Sequence, residues 1–347
     1  MKPQPLHLAI SVLVALVLLF PGLVFAQEKV LFTPGWIYYG RDLPWFTAIE
    51  KGYYSAEGLD VTIFPGSGGG DAIKMLRSGG VDIANIDTGT FLQGKAQAFA
   101  MKNVAMFYYT PAFLLAAHEG SGIRTLKDLE GRTLCAARTD STWQNFPILA
   151  EKQGIDVSKI KVLQFSVPAR DPAFLAGQCE AKTDFTTSLP MLLASAEKVG
   201  KKIVFFPLAK FGLDIYGLGM VSTDKMMQER PELIRRFVRA SMKGASYAVA
   251  NPEEAMGYLL KVSPTLGREV HRAVWDIMAD HLLVPEVEKN GLGWMSEGKW
   301  KDTRDVLVRT QAISVSIQVS DLYTNDFLPS PPIFPEKRGP RVFPSIF

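Results

Sequence analysis

Metal and nucleophile chemistry is nearly absent from this 347-residue sequence, which has two cysteines and four histidines and no HxxxH or CxxC spacing. No pattern for a zinc site exists. It also lacks a GxSxG elbow and a GxGxxG fingerprint, so hydrolase and dinucleotide-binding signatures are missing. Charge of one sign is lacking too: 38 Lys and Arg face 35 Asp and Glu, a net +3 that is too weak a bias to imply nucleic acid. Beyond position 26 no run of about 18 consecutive apolar residues occurs, and no internal repeat is found.

What is present begins with an export signal. Lys2 precedes an apolar run from Leu8 to Phe20, shorter than the roughly 20 residues a membrane span needs. Pro21 and Gly22 break it, and Val24-Phe25-Ala26 offers a signal-peptidase site. Residues 1–26 are therefore expected to be removed, leaving a chain from Gln27 with a net charge of +2. An uncleaved membrane anchor is the alternative. No Cys follows the run for lipid attachment, which points to a freely diffusing periplasmic protein. In that oxidising compartment Cys135 and Cys179 either stay as buried thiols or pair. Both fall in strand-like segments of one unit, and pairing is the expectation.

From Val30 onward, short strand-like runs alternate with amphipathic helices, the pattern of an α/β protein with largely parallel sheets. Val30 to Thr33, Leu59 to Ile63 and Val81 to Ile86 read as strands, and Pro44 to Tyr53 and Asp71 to Ser78 as helices. A helix from Glu232 to Ala250 buries Leu233, Ile234, Phe237 and Val238 and leaves Arg235, Arg236, Arg239 and Lys243 free to meet water. Residues 329–347 carry six prolines without periodicity, which predicts an extended, poorly packed tail.

Several phrases, in order, resemble one family. Trp36-Ile37-Tyr38-Tyr39-Gly40, then Ala48-Ile49-Glu50-Lys51-Gly52-Tyr53-Tyr54 through Glu57-Gly58-Leu59-Asp60-Val61, looks like the opening of the NMT1/THI5-like, thiamine-pyrimidine-precursor branch of the nitrate, sulfonate and taurine binding proteins. Gly68-Gly69-Gly70 with Gly79 and Asp82, Ser121 to Gly131, and Thr324-Asn325-Asp326-Phe327-Leu328 match later phrases of that family. The resemblance implies a type II periplasmic binding protein, α/β in class, with two lobes, a ligand cleft and a hinge of two crossings. The organisation expected is a signal peptide at 1–26, a first lobe from 27–112 and 216–328, a second lobe at 113–215, and a Pro-rich tail at 329–347. Two departures stand out: Asp42 occupies the family's usual His position, and Glu180 replaces the Asp of a second strand motif. The cysteine-rich motif of the eukaryotic pyrimidine-synthesising relatives is missing.

In open parallel sheets ligands collect beyond the carboxyl ends of strands, and the candidate ligand contacts are chosen there. Trp36, Tyr38 and Tyr39 follow the first strand and suit stacking on a flat ligand, although aromatics near a strand end are often core. Gly68, Gly69 and Gly70 open a helix whose free amides can meet an anion or a polar edge, with Asp71 as a cap in the alternative reading. Asp87 and Thr88 stand at a second helix start, where a carboxylate either accepts from ligand amino groups or caps its helix. Across the cleft come Arg138, Ser141, Asp184, Thr187 and Ser188, with Arg138 able to grip a carboxylate or sulfonate or to pair with Asp140 or Asp171. Asp214 and Tyr216 lie near the return crossing, as hinge or as contact.

The function expected is a monomeric periplasmic solute-binding protein of an ABC importer, without metal or cofactor and not an enzyme, whose partners are a small molecule and a permease with its ATPase. A pyrimidine-type or other nitrogen heterocycle is the expected ligand, and an organic anion such as a sulfonate or aromatic carboxylate is the alternative. A ligand-sensing partner of a membrane receptor would use the same cleft.

Overall fold

A computed structural model describes residues 26–136, 141–310, 313 and 316–346. Ten strands fall into two five-stranded sheets. In chain order they are β1 (Glu28–Thr33), β2 (Leu59–Ile63), β3 (Ile83–Asp87), β4 (Met101–Tyr108), β5 (Phe113–His118), β6 (Thr133–Ala136), β7 (Lys161–Gln164), β8 (Ala181–Phe185), β9 (Ile203–Pro207) and β10 (Leu218–Thr223). The first lobe's sheet runs β2-β1-β3-β10-β4 and the second's β7-β6-β8-β5-β9. Each holds one strand against the grain: β10 is antiparallel to β3 and β4, and β5 to β8 and β9. These are the two strands that follow the chain's crossings between lobes, so a parallel βαβ pattern is interrupted where the chain changes lobe.

Sequence pattern explains the local choices. β2 alternates buried and exposed positions as an edge strand should, whereas β3, covered on both faces, is buried almost throughout. The helix expected from Pro44 to Tyr53 divides: Leu43–Glu50 carries Pro44 in its first turn, and Gly52, at φ 69°, breaks it before a short turn over Tyr53–Ala56. The Phe32, Trp45 and Phe237 rings pack together in the first lobe's core, their centroids 5.2 Å apart in two pairs. Cys135 on β6 and Cys179 before β8 are disulfide-bonded, their Cα atoms 5.7 Å apart.

Two expectations change. The basic face of the Pro231–Ala250 helix does not simply meet water: Arg239 grips Glu57 through two bonds of 2.8 and 2.6 Å, Lys243 lies 3.5 Å from the same carboxylate, and Arg236 pairs with Glu28. Cations that look solvated in a helical wheel here fasten the helix to the β1–β2 edge. Likewise the Pro-rich tail is packed. Leu292 N donates to Ile333 O at 2.8 Å, Glu336 N to Ser246 Oγ at 3.0 Å and Gly339 N to Val249 O at 2.9 Å. Periodicity is absent because the tail bonds to the lobe rather than to itself. No described helix is long and apolar enough to cross a membrane.

Candidate functional site

The carboxyl ends of β1 and β2 carry two turns that are stitched together. Gly66 N donates to Trp36 O at 3.0 Å and Gly68 N to Gly35 O at 2.8 Å. Gly68 has φ 131°, a conformation side chains avoid, and the helix Gly69–Ser78 starts behind it. The indole of Trp36 stays 46% exposed, and a Cβ placed on Gly68 would stand 3.7 Å from it. The first-turn amides of Gly69 and Gly70 have no carbonyl within their own helix to bond. Asp71 does not cap that helix. Asp87, however, caps the next: Oδ1 accepts from Thr90 N at 2.8 Å, while Oδ2 faces Gly69, where a Cβ would come within 2.8 Å of it. One carboxylate oxygen thus serves the fold and one faces the glycine turn.

Deeper between the lobes lies a polar floor. Arg41 donates to Pro34 O at 2.7 Å, faces Asp42 at 3.4 Å, and sets its guanidinium 4.7 Å from the Tyr39 ring centre. Asp42 Oδ2 accepts from Tyr39 N at 3.0 Å. Burial pushes the Asp42 carboxyl up to about 6 against the opposing pull of Arg41. Burial also raises Tyr39 and Tyr108, and again Arg41 opposes it. Among the described residues Arg41 Nε, Asp42 Oδ1, Trp45 Nε1 and the Tyr108 hydroxyl are buried without a well-formed hydrogen bond. The Tyr39 side chain meets Thr187, at the head of a second-lobe helix, so the floor spans both lobes.

The sequence-chosen residues divide accordingly. Trp36, Gly68, Gly69, Gly70 and Asp87 gather at the rim, and Tyr39 and Thr187 meet at the floor. Ser188 follows Thr187 in the same turn, and Ser141 starts the helix Ser141–Lys152. Arg138 lies outside the described residues.

Five others are committed elsewhere. Tyr38 donates to Ile63 O at 2.8 Å, and burial pushes its hydroxyl up to about 12. Thr88 donates to Tyr216 O at 2.5 Å, bracing the return crossing. Asp184 is 1% exposed and held by Lys182 at 2.6 Å and Phe185 N at 2.8 Å. Asp214 forms a surface pair with Lys299 at 2.7 Å. Tyr216 is buried, its hydroxyl donating to Glu286 at 2.6 Å and accepting from Ser296 N at 2.8 Å. Sequence reasoning passed over Arg41 and Tyr108, and took Asp42 only as a departure. Their signal was weak, because a charged pair beside a helix start reads as capping.

Comparison with known proteins follows the same lines. The family model described as NMT1/THI5 like matches residues 42–255, more than half of the chain. The riboflavin-binding protein RibY of Chloroflexus aurantiacus is 23% identical over 297 residues, 82% of this chain and 82% of that one. A formylaminopyrimidine-binding protein of Halalkalibacterium halodurans is 24% identical over 274 residues, 76% and 81% of the two chains. The 4-amino-5-hydroxymethyl-2-methylpyrimidine phosphate synthase THI5 of Saccharomyces cerevisiae is 23% identical over 256 residues, 71% and 74%. Among solved structures, the periplasmic aliphatic sulphonate binding protein SsuA of Escherichia coli superposes with a TM-score of 0.67 at 13% identity, covering 86% of this chain and 92% of that one. The fold is that of the periplasmic binding proteins.

Proposed function

Because the chain belongs to the NMT1/THI5-like family, we propose that it is the exported solute-binding component of an ABC importer and holds a flat nitrogen heterocycle between its lobes. The observation that carries this reading is the half-exposed indole of Trp36 beside the glycine turn, with one Asp87 oxygen facing that turn. An indole face stacks on a planar ring and adds about 0.5 to 1.5 kcal/mol beyond area burial. The Asp87 oxygen accepts from an exocyclic amine, and below it Arg41 and Asp42 pair at 3.4 Å and cancel each other's charge. A net-neutral floor suits an uncharged ring edge better than a bare anion. That relatives bear the names of riboflavin and formylaminopyrimidine binders supports the ligand class.

Two other readings have a specific observation behind them. The unpaired amides of Gly69 and Gly70 favour an organic anion, with Arg138 as its second contact. The synthase names among relatives favour a pyrimidine-forming enzyme, against which stands Asp42 at the position where the family resemblance places a histidine.

Calorimetry separates these. A pyrimidine-type amino heterocycle and an alkanesulfonate are titrated into wild type, Trp36→Ala and Asp87→Asn. The heterocycle should bind wild type, with Trp36→Ala weakening it roughly tenfold or more. If only the sulfonate binds, and Asp87→Asn tightens it while Trp36→Ala changes nothing, the heterocycle reading is wrong. Formation of a pyrimidine phosphate by the purified protein would make it an enzyme. Export is tested on the same preparation, where osmotic shock should release a soluble chain whose intact mass begins at Gln27.

A further inference from the structure

The last described stretch of chain touches both lobes through two different kinds of anchor. Asp276 and Asp280 stand one turn apart on the first-lobe helix Arg268–Leu282, both buried. Arg338 donates to Asp280 Oδ1 at 2.6 Å and to Asp276 O at 2.7 Å. Arg341 holds both oxygens of Asp280, at 2.6 and 3.0 Å. Val342 N and Phe343 N close on Asp276 Oδ2 at 2.6 and 2.9 Å, and Ser345 Oγ and Ile346 N on Asp280 Oδ2 at 3.1 and 3.2 Å. Burial opposes ionisation of Asp280, yet Arg341 and Arg338 outweigh it and hold its carboxyl below the ordinary range.

The second anchor is apolar. Ile346 is 1% exposed and packs with Leu114 of β5 and Leu189 of the helix Leu189–Lys198, and Leu193 and Phe205 close the cluster from the second lobe. Only Ile277 joins from the first-lobe helix. Charge therefore fixes the segment to one lobe, and Ile346, with Phe343 packed against the same cluster, plugs it into the other.

We propose that residues 338–346 form a strap that sets the separation of the two lobes, with Ile346 as its releasable end. The two anchors differ in how they yield. Charge-assisted bonds to two buried carboxylates are the stronger set, and breaking them strands charge. Withdrawal of Ile346 exposes apolar surface but leaves no polar group unsatisfied. Opening therefore separates Ile346 from the second lobe while the strap stays fastened to Asp276 and Asp280. The held end keeps Ile346 at high effective concentration near its socket, so the plug re-seats when the lobes return.

The strap is tested without ligand, so the outcome does not depend on what the cleft binds. Spin labels on Lys74→Cys and Lys161→Cys, exposed positions on the two lobes, report their separation in otherwise native protein with its disulfide intact. Ile346→Asp should raise the population of long distances roughly tenfold, and Ile346→Leu should restore the wild-type distribution. If Ile346→Asp does not fold, Arg338→Gln with Arg341→Gln is read by the same criterion. Wild-type distances in the folded variant overturn the proposal. So does a lowered melting temperature with unchanged distances, which would make the segment a prop for the first lobe alone.

Discussion

Thr186 Oγ1, on the second lobe, lies 2.8 Å from Nε2 of His281, which sits at the end of a first-lobe helix. The other ring nitrogen, Nδ1, is 2.6 Å from Thr110 Oγ1 on the first crossing, so one imidazole joins the hinge to both lobes. His281 has no exposed surface, and burial pushes it down to about 4. Between that value and the ordinary 6.5 the unfolded chain takes up a proton that the folded one refuses. Stability from this group is complete above about pH 6.5 and is lost as pH falls toward 4, by about 3 kcal/mol. Asp42, raised to about 6, acts oppositely, its contribution being lost as pH rises through that value. Urea unfolding from pH 4 to 8 should therefore show a shallower acid limb in His281→Gln than in wild type. Parallel limbs would contradict this account of His281.

The cystine makes a second expectation. Cys135 and Cys179 close a loop across 44 positions, and such a cross-link contributes about 2 to 4 kcal/mol. Thiol titration of exported protein in denaturant should find none before reduction. Unfolding with and without reductant should then differ by that amount.

Glycine substitutions grade the rim. Gly70→Ala meets nothing within 4 Å and sits in an ordinary helical conformation, so stability should change little. Gly68→Ala fights a φ of 131°, and Gly69→Ala drives a methyl to 2.8 Å from the Asp87 carboxylate. Thermal melts should rank Gly70→Ala above the other two. Loss of affinity in the stable Gly70→Ala would place ligand against that turn.

Tyr38 and Tyr39 are neighbours with different work. Tyr38→Phe removes a bond to Ile63 O and should cost about 1 kcal/mol of stability without touching affinity. Tyr39→Phe removes the hydroxyl that meets Thr187 across the lobes and should weaken ligand binding. Equal affinity in both variants would move the floor out of the site.

Much of the fold was legible because burial leaves a period in the sequence. Leu59 to Ile63 alternates as β2 does, and Leu233, Ile234, Phe237 and Val238 are the buried stripe of their helix. What escaped was whatever depends on partners far along the chain. Asp276 and Asp280 look like solvated acids four positions apart until Arg338 and Arg341 reach them. Glu28 and Glu57 say nothing of Arg236 and Arg239, about two hundred positions on. The site was half legible for the same reason. Strand ends could be placed, but the hydroxyls of Tyr38 and Tyr216 were spent on Ile63 and Glu286, and a pattern of residue types does not show which polar atoms are already taken.

The position of β10 governs the order in which this molecule can be assembled. It lies between β3 and β4, yet it is synthesised after every strand of the other sheet. Until residues 218–223 emerge, the first lobe's sheet is missing an inner strand, and its neighbours expose edges with no partner. The second lobe's strands all lie within 113–207 and need nothing later to pair. A nascent chain can therefore pair the whole second sheet while the first is still open, and the first closes only once the chain is well past its midpoint.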